Sequence, residues 1–390
     1  MKPRYFGLAA VCCSSLVLAL LGCGEEVELP AAPGSGEPEL AAVAAPAGAL
    51  SFRMVSAGRG HTCGVTTDNR AYCWGTRPTL VPGGHQFLEV SAGEGLTCGV
   101  TTNYRAYCWL SNSAPTEVPG GRRFRQVSVG GEARSGSYAC GVTPADIAFC
   151  WGSNEYGRLG TGGGYTTSPV RVAGGLRFRR VFTAFSHTCG ATTDNRAYCW
   201  GTDALGALGD GVDKRVQPKP VPVVGGLRFR VVKPGSGVDG GINSVEIDVA
   251  FSCGVSVDDR AYCWGGGAPT LGSTTTFSGT PVPVAGGHRF NFVHPGLWHA
   301  CALNLSDVAF CWGDNDFGQL GRIGSFSFTP VRVAGGLRFL SLSVGATGWH
   351  NCGVARDQRA YCWGRNNTGQ LGDGTRTDRS TPVAVLGPAS

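Results

Sequence analysis

One pattern recurs seven times along this chain and limits what it can fold into. A cysteine is followed ten positions later by a second cysteine, and then at once by tryptophan. The cysteine pairs are Cys63 and Cys73, Cys98 and Cys108, Cys140 and Cys150, Cys189 and Cys199, Cys253 and Cys263, Cys301 and Cys311, and Cys352 and Cys362. The tryptophans are Trp74, Trp109, Trp151, Trp200, Trp264, Trp312 and Trp363. Upstream of each pair stands a phenylalanine: Phe52, Phe87, Phe124, Phe178, Phe229, Phe290 and Phe339. Six of these follow Gly-Gly by two or three residues. A Pro-x-x-Val step usually precedes the Gly-Gly, as at Pro169–Val172 and Pro330–Val333. Such self-similarity marks a repeat array in which each unit buries its apolar face on a neighbour. The 63 glycines have no Gly-x-y period, and no long helical run of apolar residues is present. Short apolar stretches between turn residues predict an all-β chain.

The N-terminus reads as an address. Lys2 and Arg4 precede an apolar run at 8–21 that is too short to span a bilayer. It ends in Leu20-Leu21-Gly22-Cys23, which resembles the lipobox of bacterial lipoproteins. The resemblance implies a signal peptide at 1–22, cleavage before Cys23, and a diacylglycerol on the Cys23 sulfur. Two or three acyl chains would anchor the chain stably in a membrane. Residues 23–48, rich in Ala, Pro, Gly and Glu, have too few large apolar side chains to fold and are expected to form a tether. The folded part is expected over 49–387.

The seven pairs use fourteen of the seventeen cysteines; the others are Cys12, Cys13 and Cys23. An even count at one spacing, behind an export signal, points to disulfides. In the first unit Asp68-Asn69 has turn chemistry. Folding about it sets Cys63 opposite Cys73 on antiparallel strands, where Cα atoms approach to about 4.5 Å. Alternation then puts Cys63, Val65, Ala71 and Cys73 on one face, with Tyr72 and Trp74 on the other. Each bridge would contribute about 2–3 kcal/mol on the chain-entropy model. The alternatives are fourteen reduced core thiols, or metal ligation. The second is disfavoured because no Cys-x-x-Cys is present. No metal or cofactor is expected.

The last unit runs from Trp349-His-Asn-Cys352 to Gly369-Gln-Leu-Gly372. The unit resembles the repeat of the regulator of chromosome condensation family, whose marks are a Gly-x-x-His approach (here Gly58–His61 and Gly296–His299), a turn, a Trp-Gly step and a Gly-Gln-Leu-Gly loop. The loop is Gly157-Arg-Leu-Gly160, Gly206-Ala-Leu-Gly209 and Gly318-Gln-Leu-Gly321 in three other units, and only Leu271-Gly272 in the fifth. The resemblance covers residues 50–387 and implies a seven-bladed β-propeller, matching the seven units. With the cysteines, this gives one intra-blade disulfide per blade. The chain starts on a Phe strand and ends on a Pro-x-x-Val strand, so pairing the two ends would complete one blade and close the ring.

Departures from the repeat bear on function. Units one and two lack about a dozen residues, including the Gly-Gln-Leu-Gly loop. Phe229 to Cys253 spans 24 residues where Phe52 to Cys63 spans 11, and Phe124 to Cys140 spans 16. The longest insertion, Lys233–Asp248, is rich in glycine. These insertions should emerge on one rim, the side on which repeat proteins often bind. Trp298, Trp349 and Tyr138 fall in that rim segment and are candidate binding aromatics. The Gly-Gln-Leu-Gly loops are expected on the opposite rim. No catalytic constellation is found. His61, His187, His299 and His350 recur before the first cysteine, where Leu96, Tyr138 and Phe251 stand in the other units, and are read as core or capping contacts. Asp68, Asp194, Asp258 and Asp259 are read as turn formers.

The chain's net charge is +6 and its arginines are spread over all units, so no dense basic patch supports nucleic-acid binding. The family's best-known member promotes nucleotide exchange on a nuclear GTPase, a partner an exported chain would not meet. Other propellers of this class are secreted and bind proteins. The expected function is a monomeric, non-enzymatic binding or scaffold lipoprotein of the bacterial cell envelope, at the outer membrane or cell surface. Its partner would be a protein or a surface polysaccharide. The alternative is an envelope glycan hydrolase or lyase with a single rim site.

Overall fold

The structure, a computed structural model, describes residues 49–388 apart from 111–112, 133–135, 213–214, 239–247, 268 and 347. The signal segment at 1–22, Cys23 and the tether up to residue 48 lie outside the described residues, as does the tip of the fifth unit's insertion. The units form seven four-stranded sheets, each antiparallel and hydrogen-bonded in chain order. This is an all-β, seven-bladed propeller. Blade one consists of Phe52–Ala57, Thr62–Thr66, Ala71–Trp74 and Thr79–Leu80. The first strand of every blade is the innermost and lines a central channel.

The cysteine spacing does what strand geometry requires. In every blade the two cysteines face each other in register on the second and third strands. The bonded pairs run one per blade. Cys63 is joined to Cys73, Cys98 to Cys108, Cys140 to Cys150 and Cys189 to Cys199. Cys253 is joined to Cys263, Cys301 to Cys311 and Cys352 to Cys362. Their Cα atoms are 4.0–4.1 Å apart, somewhat closer than the 4.5 Å or so expected for such a pair.

The two faces of a blade carry different loads. Cys63, Val65 and Ala71 pack on Phe87, Val90 and Trp109 of blade two. Phe52, Val55 and Trp74 pack on Cys352, Val354, Ala360 and Cys362 of blade seven. Each interface therefore presses a sulfur-and-aliphatic face onto an aromatic one, with Phe and Trp centroids 5.4–6.4 Å apart within each blade. The residue after the first cysteine is glycine in six blades because the Phe ring lies over it: a Cβ on Gly64 would meet Phe52 at 2.7 Å. Blade six has Ala302 there, and its Phe290–Trp312 pair is the widest, at 6.4 Å.

Ring closure differs from the sequence expectation. The final strand, Arg379–Ala384, pairs with Ala360–Gly364 inside blade seven, and Phe52–Ala57 pairs inside blade one. Among the described residues no strand is exchanged, because four strands of one unit already complete a blade. The ends meet as any two neighbours do. The amide of Phe52 donates to the Gln358 carbonyl at 2.7 Å, as Phe178 does to Asp146 and Phe290 to Asp259 at 2.8 Å. At this rim, which we call the turn rim, arginines before the Phe clamp the preceding blade's turn. Arg177, Arg228, Arg289 and Arg338 donate to the carbonyls of Ala145, Asp194, Asp258 and Ser306. Much of the dispersed basic charge is thus structural. The candidate turn formers keep that role: Asp68 and Asp194 accept from Thr66 and Thr192 within their own turns.

The opposite rim carries the variation. The junction between the first two strands extends the ladder by four pairs in blade five, to Val238↔Asp248, and by three in blade three, to Glu132↔Gly136. The fourth strands of blades one and two shrink to Thr79–Leu80 and Thr116–Glu117, against six or seven residues elsewhere. The Gly-Gln-Leu-Gly loops sit on this same rim, not the opposite one. Thr368 Oγ1 donates to the Gly60 carbonyl at 2.8 Å, and Arg158 reaches the carbonyls of Phe185 and Gly136 at 2.9 and 2.7 Å. Alternate connections of an antiparallel sheet lie at the same end, which puts both loop types together.

Candidate functional site

On this loop rim most recurring residues join blades. The carbonyl of the loop's second position accepts from the next blade's Trp and from the residue before its first cysteine. Gln319 O takes Trp363 Nε1 at 3.1 Å and Asn351 Nδ2 at 2.7 Å; Ala207 O takes Trp264 Nε1 at 3.0 Å and Ser252 Oγ at 2.8 Å. The loop's last glycine has φ near +70° and touches that Trp: a Cβ on Gly209 would lie 2.5 Å from Trp264.

The four histidines complete the latch. His187, His299, His350 and His61 reach Ser252, Asn351, Thr62 and Thr97 of the following blade through Nε2 at 2.8–2.9 Å. Ser252 and Thr62 already donate their hydroxyl hydrogens to carbonyls, and the Asn351 contact is its oxygen, so Nε2 is the donor in those three. That leaves Nδ1 bare, and in His187, His299 and His350 it is buried without a partner. Burial lowers His187 and His350 to about 3, and His299 and His61 to about 4.

Tyr138 is the blade-three counterpart of these histidines, and its placement corrects the sequence reading. It is 1% exposed, and its hydroxyl meets the His187 carbonyl at 2.9 Å and Thr188 Oγ1 at 3.0 Å. The buried guanidinium of Arg158 lies 4.8 Å from its ring centre. Tyr138 therefore joins blades three and four and offers no surface. Trp298 and Trp349 do sit at the loop rim, half-buried, immediately before strands His299–Asn304 and His350–Ala355. Arg365 lies 4.8 Å from the Trp349 ring and 4.7 Å from that of Phe317, forming an aromatic–arginine cluster.

The central channel, a cavity of about 620 Å³, is the second candidate. The residue opposite the first cysteine faces it from every blade: Ser56, Ser91, Ser128, Phe182, Lys233, His294 and Ser343. Each serine accepts the amide of the next inner strand at 3.0–3.1 Å: Ala92 on Ser56, Val129 on Ser91, Thr183 on Ser128 and Ala57 on Ser343. Blades four to six break this ring. Lys233 lies 4.3 Å from the Phe182 ring centre and is hydrogen-bonded to His294. Arg180 Nη2 approaches Glu89 Oε2 at 3.4 Å, while Glu89 Oε1 takes the Val127 amide at 2.6 Å. Burial, reinforced by Arg180, holds the Lys233 ammonium well below its ordinary range. Burial, Lys233 and Arg180 do the same to His294, and burial raises the Glu89 carboxyl. Residue spacing alone puts Lys233 at the start of the insertion; it lies in the ladder opposite Cys253. Aligning the units on that position would show Lys and His where serine recurs. Among the described residues no group of three or more His, Cys, Asp or Glu side chains is placed to hold a metal ion.

Two models of the regulator of chromosome condensation (RCC1) repeat match the chain, one over 54–76, 296–319 and 342–370, the other over 147–191 and 357–390. The chain carries RCC1 repeats. It is 26% identical over 243 residues to the ultraviolet-B receptor UVR8 of Arabidopsis thaliana, covering 60% of this chain and 52% of that protein. The chain thus matches about half the length of this curated relative. Human WBSCR16 has a similar structure, with a TM-score of 0.66 at 19% identity over 80% of this chain and 84% of that one. Prp20p of Saccharomyces cerevisiae, whose structure was described with its binding to Gsp1p and histones, has a TM-score of 0.59 at 17% identity over 75% and 80% of the two chains. At these identities the structural likeness speaks for the fold.

Proposed function

We propose that this chain is a binding protein whose loop rim docks a protein partner. We also propose that it works as a monomer at a bacterial cell envelope, anchored through a lipid on Cys23 at the outer membrane or cell surface. One observation carries the docking reading: every large departure from the repeat lies on a single rim. The turn rim keeps one turn length between the paired cysteines in every blade, and in four blades the arginine before the Phe reaches the neighbouring blade's turn. The loop rim has long hairpins in blades three and five, short edges in blades one and two, and half-buried Trp298 and Trp349. Aromatic anchors beside irregular loops are common hot-spot material. Repeat-bearing relatives such as Prp20p, studied for its binding to Gsp1p and histones, favour a protein over a polysaccharide. Nucleotide exchange is not carried over, since a shared fold does not fix a function.

A glycan hydrolase remains the second reading. It would need two facing carboxylates. Among the described lining residues the channel has one, Glu89.

The test is capture from envelope extract by the parent chain and two variants. One variant carries Trp298→Ala with Trp349→Ala. The other replaces 239–247 by Asn-Gly, a turn that closes the hairpin after Val238. Loss of a specific protein with either variant, at a nearly unchanged melting temperature, supports the reading. Undiminished capture by both would move the site off this rim, and recovery of polysaccharide alone would replace the partner class.

A further inference from the structure

In this propeller the recurring residues hold blades together, so a residue that departs from the repeat in a protected place is free for another task. The channel serines illustrate the first half: each caps an amide of the neighbouring inner strand. Blades four and five need no such cap. The residue whose amide the serine would accept is Pro234 in blade five and Pro295 in blade six, and proline has no N–H. Phe182 and Lys233 are thereby released from the strut role. The sector they form with His294 and Arg180 gathers nitrogen donors on one side of the channel. Lys233 has His294 and the Phe182 ring beside it and, among the described residues, no carboxylate within ion-pair distance. Arg180 touches Glu89 only through one nitrogen at 3.4 Å and keeps about half its side chain in the open channel. Glu89 acts on Lys233 only from beyond ion-pair distance, and an ammonium partly withdrawn from water with so distant a counter-charge can recruit an anion. The cavity, at about 620 Å³, is within the range of small-ligand sites.

We propose that this sector of the channel binds a small oxyanion, a carboxylate or phosphate group, between Lys233, Arg180 and His294. Lys233 supplies the charge-assisted hydrogen bond, and the open face of the Arg180 fork supplies further donors. Glu89 stays occupied by the Val127 amide and Arg180. The site is independent of the loop-rim reading, because it lies on the inner strands.

The repeat itself provides conservative variants. Lys233→Ser restores the residue found in four blades, and Arg180→Met copies Met54, which holds the equivalent place in blade one. Lys219→Ser, on the exposed outer strand Val216–Pro222, is a charge-matched control. Calorimetric titration of the purified chain with inorganic phosphate, and separately with acetate, should show saturable one-to-one binding of at least one ion. Which ion binds identifies the group. Lys233→Ser should weaken it about tenfold or more, the loss of one charge-assisted hydrogen bond. Arg180→Met should weaken it in the same direction and Lys219→Ser should leave it unchanged. Absence of saturable binding of either ion, equal affinity in Lys233→Ser, or equal weakening by Lys219→Ser would each overturn the assignment.

Discussion

Acid should weaken this propeller through its buried histidines. In the unfolded chain each histidine titrates near 6.5, whereas His187 and His350 are held at about 3, and His299 and His61 at about 4. A depressed folded-state value means the unfolded chain binds the proton more readily. The stabilisation is therefore complete above pH 6.5 and is lost as the pH falls towards the folded values. At pH 5, about 1.5 units below the unfolded value, each histidine should cost roughly 2 kcal/mol. The discriminating variant is His187→Phe, which places in blade four the residue that blade five carries as Phe251. It removes the His187–Ser252 hydrogen bond and lowers stability at neutral pH, but it also removes one titrating group. Guanidinium midpoints, with disulfides intact, are compared at pH 7.5 and pH 5. The variant should lose about 2 kcal/mol less than the parent between the two pH values. Equal losses in parent and variant would show that the latch histidines are not the acid-sensitive element.

Other outcomes are expected. Gly209→Ala places a Cβ 2.5 Å from Trp264 at φ +72°, whereas Gly225→Ala, at φ +95°, meets nothing within 4 Å. The first should lower stability by at least about 2 kcal/mol more than the second, read from thermal midpoints. Tyr138→Phe keeps the ring on Arg158 but removes the hydroxyl between His187 and Thr188, and should cost about 1–2 kcal/mol by the same measurement. Non-reducing mass analysis should find seven bridges, each joining the cysteines of one unit, and peptides linking different blades would contradict it. Cys23→Ser should move the chain from the membrane fraction to the soluble one, and retention after a salt wash would refute lipid anchoring.

Much of this architecture was legible in the chain because it recurs. The Cys–Trp spacing, the alternating faces and the turn at Asp68-Asn69 are local rules applied seven times, and Phe87 or Val354 falls where alternation puts it. Two misplacements have topological causes. Pairing Thr381–Val385 with the first strand assumes that a blade borrows a strand across the ends, yet each unit already has four. The rim of the Gly-Gln-Leu-Gly loops depends on counting strand reversals, which residue spacing does not display. Tyr138 looked like a surface aromatic because its latch partners, Thr188 and Arg158, are 50 and 20 positions away. The channel cluster was hidden for the opposite reason: comparison of units rewards what repeats, and Lys233 and His294 are exceptions.

The spacing of the cysteines also bears on the order in which the molecule can be assembled. Every bridge joins neighbours ten positions apart, within one blade. The nearest wrong partner in the first two units, Cys98 for Cys73, is 25 positions distant, so loop closure alone favours the native choice about fourfold. In a chain delivered from its N-terminus, each second cysteine finds its mate as the one that has just preceded it. Oxidation can keep pace with delivery, unit by unit, without waiting for the ring. The circle itself is then closed by non-covalent contacts alone: the backbone crosses six of the seven joints, but neither a peptide bond nor a disulfide crosses the seam between Phe52 and Gln358, and that seam is where the finished ring can open without a covalent tether.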